Sequence, residues 1–206
     1  MQDFLFYFKQ GWQHILSYNA IDHLLFILAL SAIYLMKDWK QVLVLITAFT
    51  IGHSATLVLS VYNVLKVNVS WVEFLIPCTI IITALFNLLQ KNYQANRLKL
   101  NYLFALFFGL VHGLGYANTI KFMLAKSQTI AFPLFSFNVG LEVGQLIVVT
   151  IILLVSFFLV NKIGLQQKWW VRVLSTVSFL VALTIAIQRM PTRFLAASAP
   201  WDRTKF

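Results

Sequence analysis

Three stretches of this chain contain no Asp, Glu, Lys or Arg: Gln41 to Leu65, Leu100 to Ile120 and Val143 to Asn161. Each is long enough to cross the hydrocarbon of a bilayer as an α-helix, which takes about 20 mainly apolar residues at ~1.5 Å of rise each. Hydrocarbon offers no water to backbone N–H and C=O groups, so a spanning segment satisfies them within itself, as a helix does. The rest of the chain has the same character. Of its 206 residues 60% are hydrophobic and 11% charged, where a soluble domain has about 25% charged residues. The expectation is an all-α fold, a polytopic transmembrane helix bundle embedded in a lipid bilayer.

Six spans are read, from Ile21 to Met36, Val42 to Tyr62, Trp71 to Gln90, Tyr102 to Leu124, Pro133 to Val160 and Trp169 to Gln188. The first is short. Either its helix begins earlier, within Gly11 to Tyr18, or those residues form a separate half-helix. The Phe- and Trp-rich start "MQDFLFYFKQGW" reads as an interfacial helix rather than a cleaved signal peptide. Residues 1–190 are expected to be a single transmembrane domain, and 191–206 a polar, Pro-broken tail. The net charge of +10 comes from sixteen Lys and Arg against six Asp and Glu, spread through loops and tail. Such charge flanks a membrane and forms no nucleic-acid stripe. With the tail set aside, the loops hold eight basic residues on one face against four on the other. That favours an N-terminus outside. The single Cys78 cannot form an internal disulfide and makes no zinc or iron–sulfur site alone. Gly109 with Gly113, and Gly140 with Gly144, have the spacing that lets membrane helices approach closely, within the chain or in a homo-oligomer.

Ionisable residues interrupt the apolar sequence. His14, His23, His53 and His112, all the histidines of the chain, lie in or at the edge of spans, as do Asp22, Glu73 and Glu142. Such residues are rare inside a bilayer, usually face the bundle interior, and mark function by default. Apart from Lys121 and Arg172 near span ends, no Lys or Arg lies inside a span to pair with the carboxylates, which leaves histidines, protons or a bound cation. Singly, each has a plainer reading: an intramembrane His is usually an interhelical hydrogen bonder, and Glu73 beside Trp71 suits an interface. Together they call for a common partner. Asn138, Glu142 and Gln145 fall at i, i+4 and i+7, one stripe of one helix. Thr50, His53 and Thr56 share a face, flanked by Gly52 and Ser54; His112 shares one with Tyr116; His14 and Asp22 share one if the first helix is continuous. The expected geometry is one polar site in mid-bundle. Imidazole with carboxylate suits divalent Ni, Co, Zn, Fe or Mn, in one or two positions, whereas Cu(I) prefers the thiolate and thioether that are scarce here. Asp22 either ligates or orients a histidine from behind.

The segments "HILSYNAIDHLLFILAL", "FTIGHSATLVLS", "WVEFLI", "FFGLVHGLGYA" and "FNVGLEVGQL" occur in that order. As an ordered set they resemble the HupE/UreJ family of membrane permeases for nickel or cobalt, in the branch outside hydrogenase and urease operons. The resemblance covers roughly Gly11 to Val160. It implies metal recognition by His14, Asp22, His23, His53, His112 and Glu142, supported by Asn138, and Ni or Co as the carried metal. It also implies a bacterial cytoplasmic membrane. One departure stands out: seven residues separate His14 from the Asp22–His23 pair, where permeases with the best-known signature have four. The residues themselves admit two other readings, an intramembrane metal-dependent hydrolase using Ser54, or a haem electron carrier using paired histidines. The principal expectation is a secondary transporter, not an enzyme, for a divalent transition-metal ion.

Overall fold

A computed structural model describes residues 2–17, 20–65, 67–90, 98–124 and 130–191. Seven α-helices account for most of them: α1 (Gln2–Leu16), α2 (Ile21–Ser31), α3 (Trp39–Val61), α4 (Val69–Leu89), α5 (Leu98–Leu124), α6 (Ala131–Ser156) and α7 (Gln167–Gln188). There is no strand among the described residues. The all-α expectation holds. Four helical stretches, Met36–Val61, Val69–Leu89, Ala131–Lys162 and Gln167–Gln188, are long and apolar enough to cross a membrane. A fifth span results if α1 and α2 are taken together, and α5 carries a shorter apolar stretch, Asn101–Ala117. The six expected spans map onto these elements. The polar tail beyond Pro191 lies outside the described residues, as do the loop charges at 91–97 and 125–129.

Local chemistry sets the helix ends. Before α3, the Asp38 carboxylate accepts from the Leu35 backbone N–H at 3.1 Å, closing the turn that starts the helix. Before α4, the Asn68 side chain accepts from the Ser70 N–H at 3.0 Å. Both are side-chain caps for donors that a helix start leaves without partners. At the end of α6 the backbone widens into a π-type turn over Phe157–Lys162 and stops at Gly164, whose φ is +83°.

Glycines position the helices. A Cβ on Gly52 would strike the backbone of Leu106, one on Gly109 the backbone of Phe49, and one on Gly113 the backbone of His53. These contacts advance together along both chains, so α3 and α5 run parallel with their backbones touching. Gly11 and Gly140 do the same for α1 and α6, through Phe137 and Phe8. In a bilayer the hydrophobic effect does not drive helices together, and close van der Waals contact of this kind is what holds them. Outward faces are apolar, with Val44, Ile51 and Val58 exposed on α3, Ile151 and Leu154 on α6, and Val173, Val177 and Leu180 on α7.

Two expectations are corrected here. The Gly-x-x-x-Gly faces are filled within the chain, so neither is free to hold a second copy in a homo-oligomer. The first helix is also not continuous. α1 and α2 bend by 69° across the break after Leu16. Consequently α1 is a half-helix packed along α6 rather than an interfacial helix lying apart.

The glycine seams yield a test. Gly109→Ala and Gly140→Ala force methyl groups onto backbone that cannot move aside, and each is expected to cost about 1–3 kcal/mol. Gly115→Ala meets only the Ile76 Cδ1 methyl and a more distant Val72 atom, and should be close to neutral. Thermal unfolding of the detergent-purified variants checks the ordering.

Candidate metal centre

The break between α1 and α2 is the first element of the site. Nine residues of continuous helix would separate His14 from His23 by about 13 Å along the axis. The bend instead brings their rings to 4.6 Å, centroid to centroid. From α3, His53 lies 6.1 Å from His23 and 6.3 Å from His14. From α5, His112 lies 5.1 Å from His23. All four histidines of the chain therefore meet at mid-bundle, contributed by four helices. His53 is fully buried, and His112 and His23 nearly so. His14, His23 and His53 each offer a ring nitrogen, and these three atoms lie within 4.8 Å of one another.

The ring nitrogens show what the cluster can do. His112 Nδ1 sits 2.9 Å from the Phe108 carbonyl oxygen. A carbonyl only accepts, so Nδ1 carries the proton and the Nε2 lone pair is free, the tautomer that a metal-binding imidazole needs. His112 Nε2 is buried with no hydrogen-bond partner, as are His14 Nε2 and both ring nitrogens of His23 and of His53. A buried polar atom without a partner costs about 1–3 kcal/mol. Each neutral imidazole has one lone pair and one N–H, so the four rings offer a soft-to-borderline cation up to four donor nitrogens, one apiece.

Aromatic rings enclose the cluster. The Tyr116 ring lies 4.0 Å from that of His14 and stacks on Phe137 at 5.2 Å. On the other side Phe49 lies 5.2 Å from His112 and 6.0 Å from His53, and Phe26 lies 5.3 Å from His112. A cavity of about 190 Å³ leads to the histidines. Its lining includes His14, His23, His112, Asp22, Glu73, Tyr116 and Arg189.

The carboxylates fall differently from the sequence expectation. Asp22 does have a basic partner: Arg189 Nη1, just past the end of α7, donates to its Oδ2 at 2.9 Å. Its Oδ1 accepts from the His23 backbone N–H at 3.2 Å and lies 3.5 Å from His23 Nδ1. Asp22 thus lies between the His23 ring and the Arg189 guanidinium. The scarcity of basic residues inside spans does not leave it unpaired, because Arg189 reaches in from a helix end. Arg189 was legible only as the first basic residue after the last span. Glu73, exposed near the start of α4, lines the cavity mouth.

Glu142 is not part of that lining. Its Oε1 accepts from Thr47 Oγ1 at 2.9 Å across α3 and α6. Close by, Gln145 Oε1 accepts from Thr50 Oγ1 at 3.0 Å. The stripe of Asn138, Glu142 and Gln145 therefore splits. Asn138 donates to the Leu134 carbonyl and interacts with His53, while the other two bond to threonines of α3. Ser54 donates to the Thr50 carbonyl of its own helix at 2.7 Å, so its hydroxyl is committed to backbone rather than to the cluster.

Among known proteins, no curated protein and no solved structure matches the chain. The family described as HupE / UreJ protein matches residues 1–190, nearly the whole of it. The ordered segments that first indicated that resemblance all fall inside the match. The chain is an integral membrane protein of the HupE/UreJ family, a family known for metal (nickel/cobalt) transport.

Proposed function

We propose that the chain is a permease that carries a divalent transition-metal ion, with Ni(II) or Co(II) favoured, and that His14, His23, His53 and His112 hold the ion in transit. The observation that carries this reading is the meeting of four imidazole rings from four helices, each with a buried ring nitrogen that has no hydrogen-bond partner. Neutral imidazoles suit the later first-row divalent metals better than Mg or Ca, which prefer carboxylate and carbonyl oxygen. Asp22 serves by fixing the His23 ring, as carboxylates do behind metal-binding histidines. Glu73 at the mouth attracts cations.

The chain has no nucleotide-binding motif, so ATP would have to come through another subunit; the transport proposed is secondary, driven by membrane potential or by protons. Protons compete with metal for the same lone pairs, which gives proton coupling a direct chemical route. The hydrolase reading loses support because Ser54 faces its own backbone. A haem between these histidines needs a flat slot, and Phe26, Phe49 and Phe137, all buried, pack beside the rings where the macrocycle would lie. We also infer that residues 1–190 form one transmembrane unit.

Two experiments follow. Purified protein loaded with Ni(II) or Co(II) and desalted should retain one ion per chain by elemental analysis, and reconstituted vesicles should take up the same metal. Retention well below one per chain for Ni, Co, Zn, Fe and Mn alike overturns the reading. The second separates the histidines from Glu142. His53→Ala should weaken binding by roughly tenfold or more, the scale of losing part of a metal's coordination sphere. Glu142→Gln, whose carboxylate meets Thr47 outside the cavity, should leave equilibrium affinity within about threefold, a difference below ~0.7 kcal/mol. Calorimetric titration of both variants decides the point, and a large loss in Glu142→Gln would return that carboxylate to the ligand set.

A further inference from the structure

Among the described residues, Arg189 is the only Lys or Arg in the lining of the histidine cavity. Its guanidinium meets Asp22, whose side chain is 7% exposed, at 2.9 Å. A guanidinium is permanently charged, so Asp22 is neutralised without a proton. The helix end helps to keep it there, since the C-terminus of α7 carries partial negative charge that favours a cation. Of the two carboxylates in the lining, only Glu73 at the mouth then remains without a charged partner among the described residues.

This arrangement is unexpected in a site for cations. A buried carboxylate beside a histidine cluster would bind a divalent ion tightly if it were free. Here a fixed positive charge occupies it, one carboxylate away from His23. We propose that Arg189 sets the strength of the site. It is a tethered cation that keeps Asp22 out of direct ligation and opposes an arriving divalent ion, so that the ion is held loosely enough to leave again. A carrier needs this balance, because a site that binds too well does not release. Arg189 touches no ligand nitrogen in this role; it acts through Asp22 and through its charge. The inference rests on the permease reading above.

The test uses the full-length protein in detergent, titrated with nickel(II) and cobalt(II) chloride, and the same variants in proteoliposomes for uptake. Arg189→Gln should bind roughly tenfold more tightly or better, since removing one charge a few ångström from a divalent ion at an intermediate effective dielectric changes the interaction by more than 1 kcal/mol. Its uptake should show a lower KM together with a lower maximal rate. Arg189→Lys, which keeps the charge, should restore values near wild type. Asp22→Asn leaves Arg189 unopposed and should weaken binding by at least about tenfold. Adding Arg189→Gln to Asp22→Asn removes both charges and should bring affinity back to within about threefold of wild type.

That last comparison decides the matter even if Arg189→Gln alone, with Asp22 left buried and unpaired, fails to fold. If Arg189→Gln does not rescue Asp22→Asn, Arg189 is a structural partner only and the proposal is overturned. Wild-type protein is titrated first. If it binds neither metal, the permease reading falls and this inference falls with it. If it binds and the single Arg189 variant is unchanged or weaker, this inference alone is overturned.

Discussion

The bundle is organised around the place where α3 and α5 touch backbone to backbone. Gly52 and Gly109 remove the side chains that would hold the helices apart, and Gly113 lets α5 lie against the backbone of His53 itself. With no hydrophobic driving force between helices in lipid, that contact is held by packing alone, so its geometry is exacting. His53 and His112 flank it, both buried, and their rings lie in the same layer as Phe49. A second seam, α1 on α6 through Gly11 and Gly140, carries His14. The histidines are thus fixed by glycines that bear no chemistry, and the polar cluster is affordable only because the seams place its members together.

The bend between α1 and α2 completes the cluster. A straight helix would present His14 and His23 more than two turns apart; the bend folds them onto each other. The seven residues between His14 and the Asp22–His23 pair supply the length for this break. It also places Asp22 in the first turn of α2, where the positive end of the helix favours a carboxylate. The same carboxylate is then anchored by Arg189 and turned toward His23. One discontinuity in the chain thereby sets the position of His23 beside His14, the carboxylate behind it and the ion pair with Arg189.

Much of this was legible from residues. The uncharged runs located the spans, and the confinement of every histidine to apolar sequence indicated a shared partner, because a bilayer gives isolated imidazoles none. Periodicity also grouped His112 with Tyr116, and both line the cavity. It did less well with α6. A stripe such as Asn138, Glu142 and Gln145 says which residues share a face, and not what the face meets. α6 lies between α1 and α3 and also packs on α2, so Glu142 finds Thr47 while Asn138 finds His53. The Asp22–Arg189 pair was out of reach for a different reason. Its partners are 167 residues apart, and Arg189 counts by position as flanking charge. A long basic side chain at a helix end extends into the bundle, which composition of the span does not register.

Different contacts hold the two ends of α2. Glu73 near the start of α4 and Arg189 past the end of α7 mark the mouth. At the opposite end, three interhelical hydrogen bonds close on the last turn of α2 and the residues after it. Asn87 donates to the Ala29 carbonyl, Asn101 to the Tyr34 hydroxyl, and Gln167 to the Ile33 carbonyl, at 2.7, 2.8 and 2.9 Å. Between this clasp and the histidines lies a layer of buried rings, Phe26 stacked on Phe49 at 4.9 Å and edge-on to Phe108 at 5.6 Å. The histidines therefore have the polar lining of the cavity on one side and packed aromatic rings on the other. α2 joins the histidine side to the clasp side. It is eleven residues long, separated from α1 by the break and from α3 by a turn, and it carries both the ligand His23 and the clasped carbonyls. A shift of this one short helix would therefore move His23 within the histidine cluster and break the Asn87 bond to Ala29 together, because both residues lie on the same eleven-residue segment.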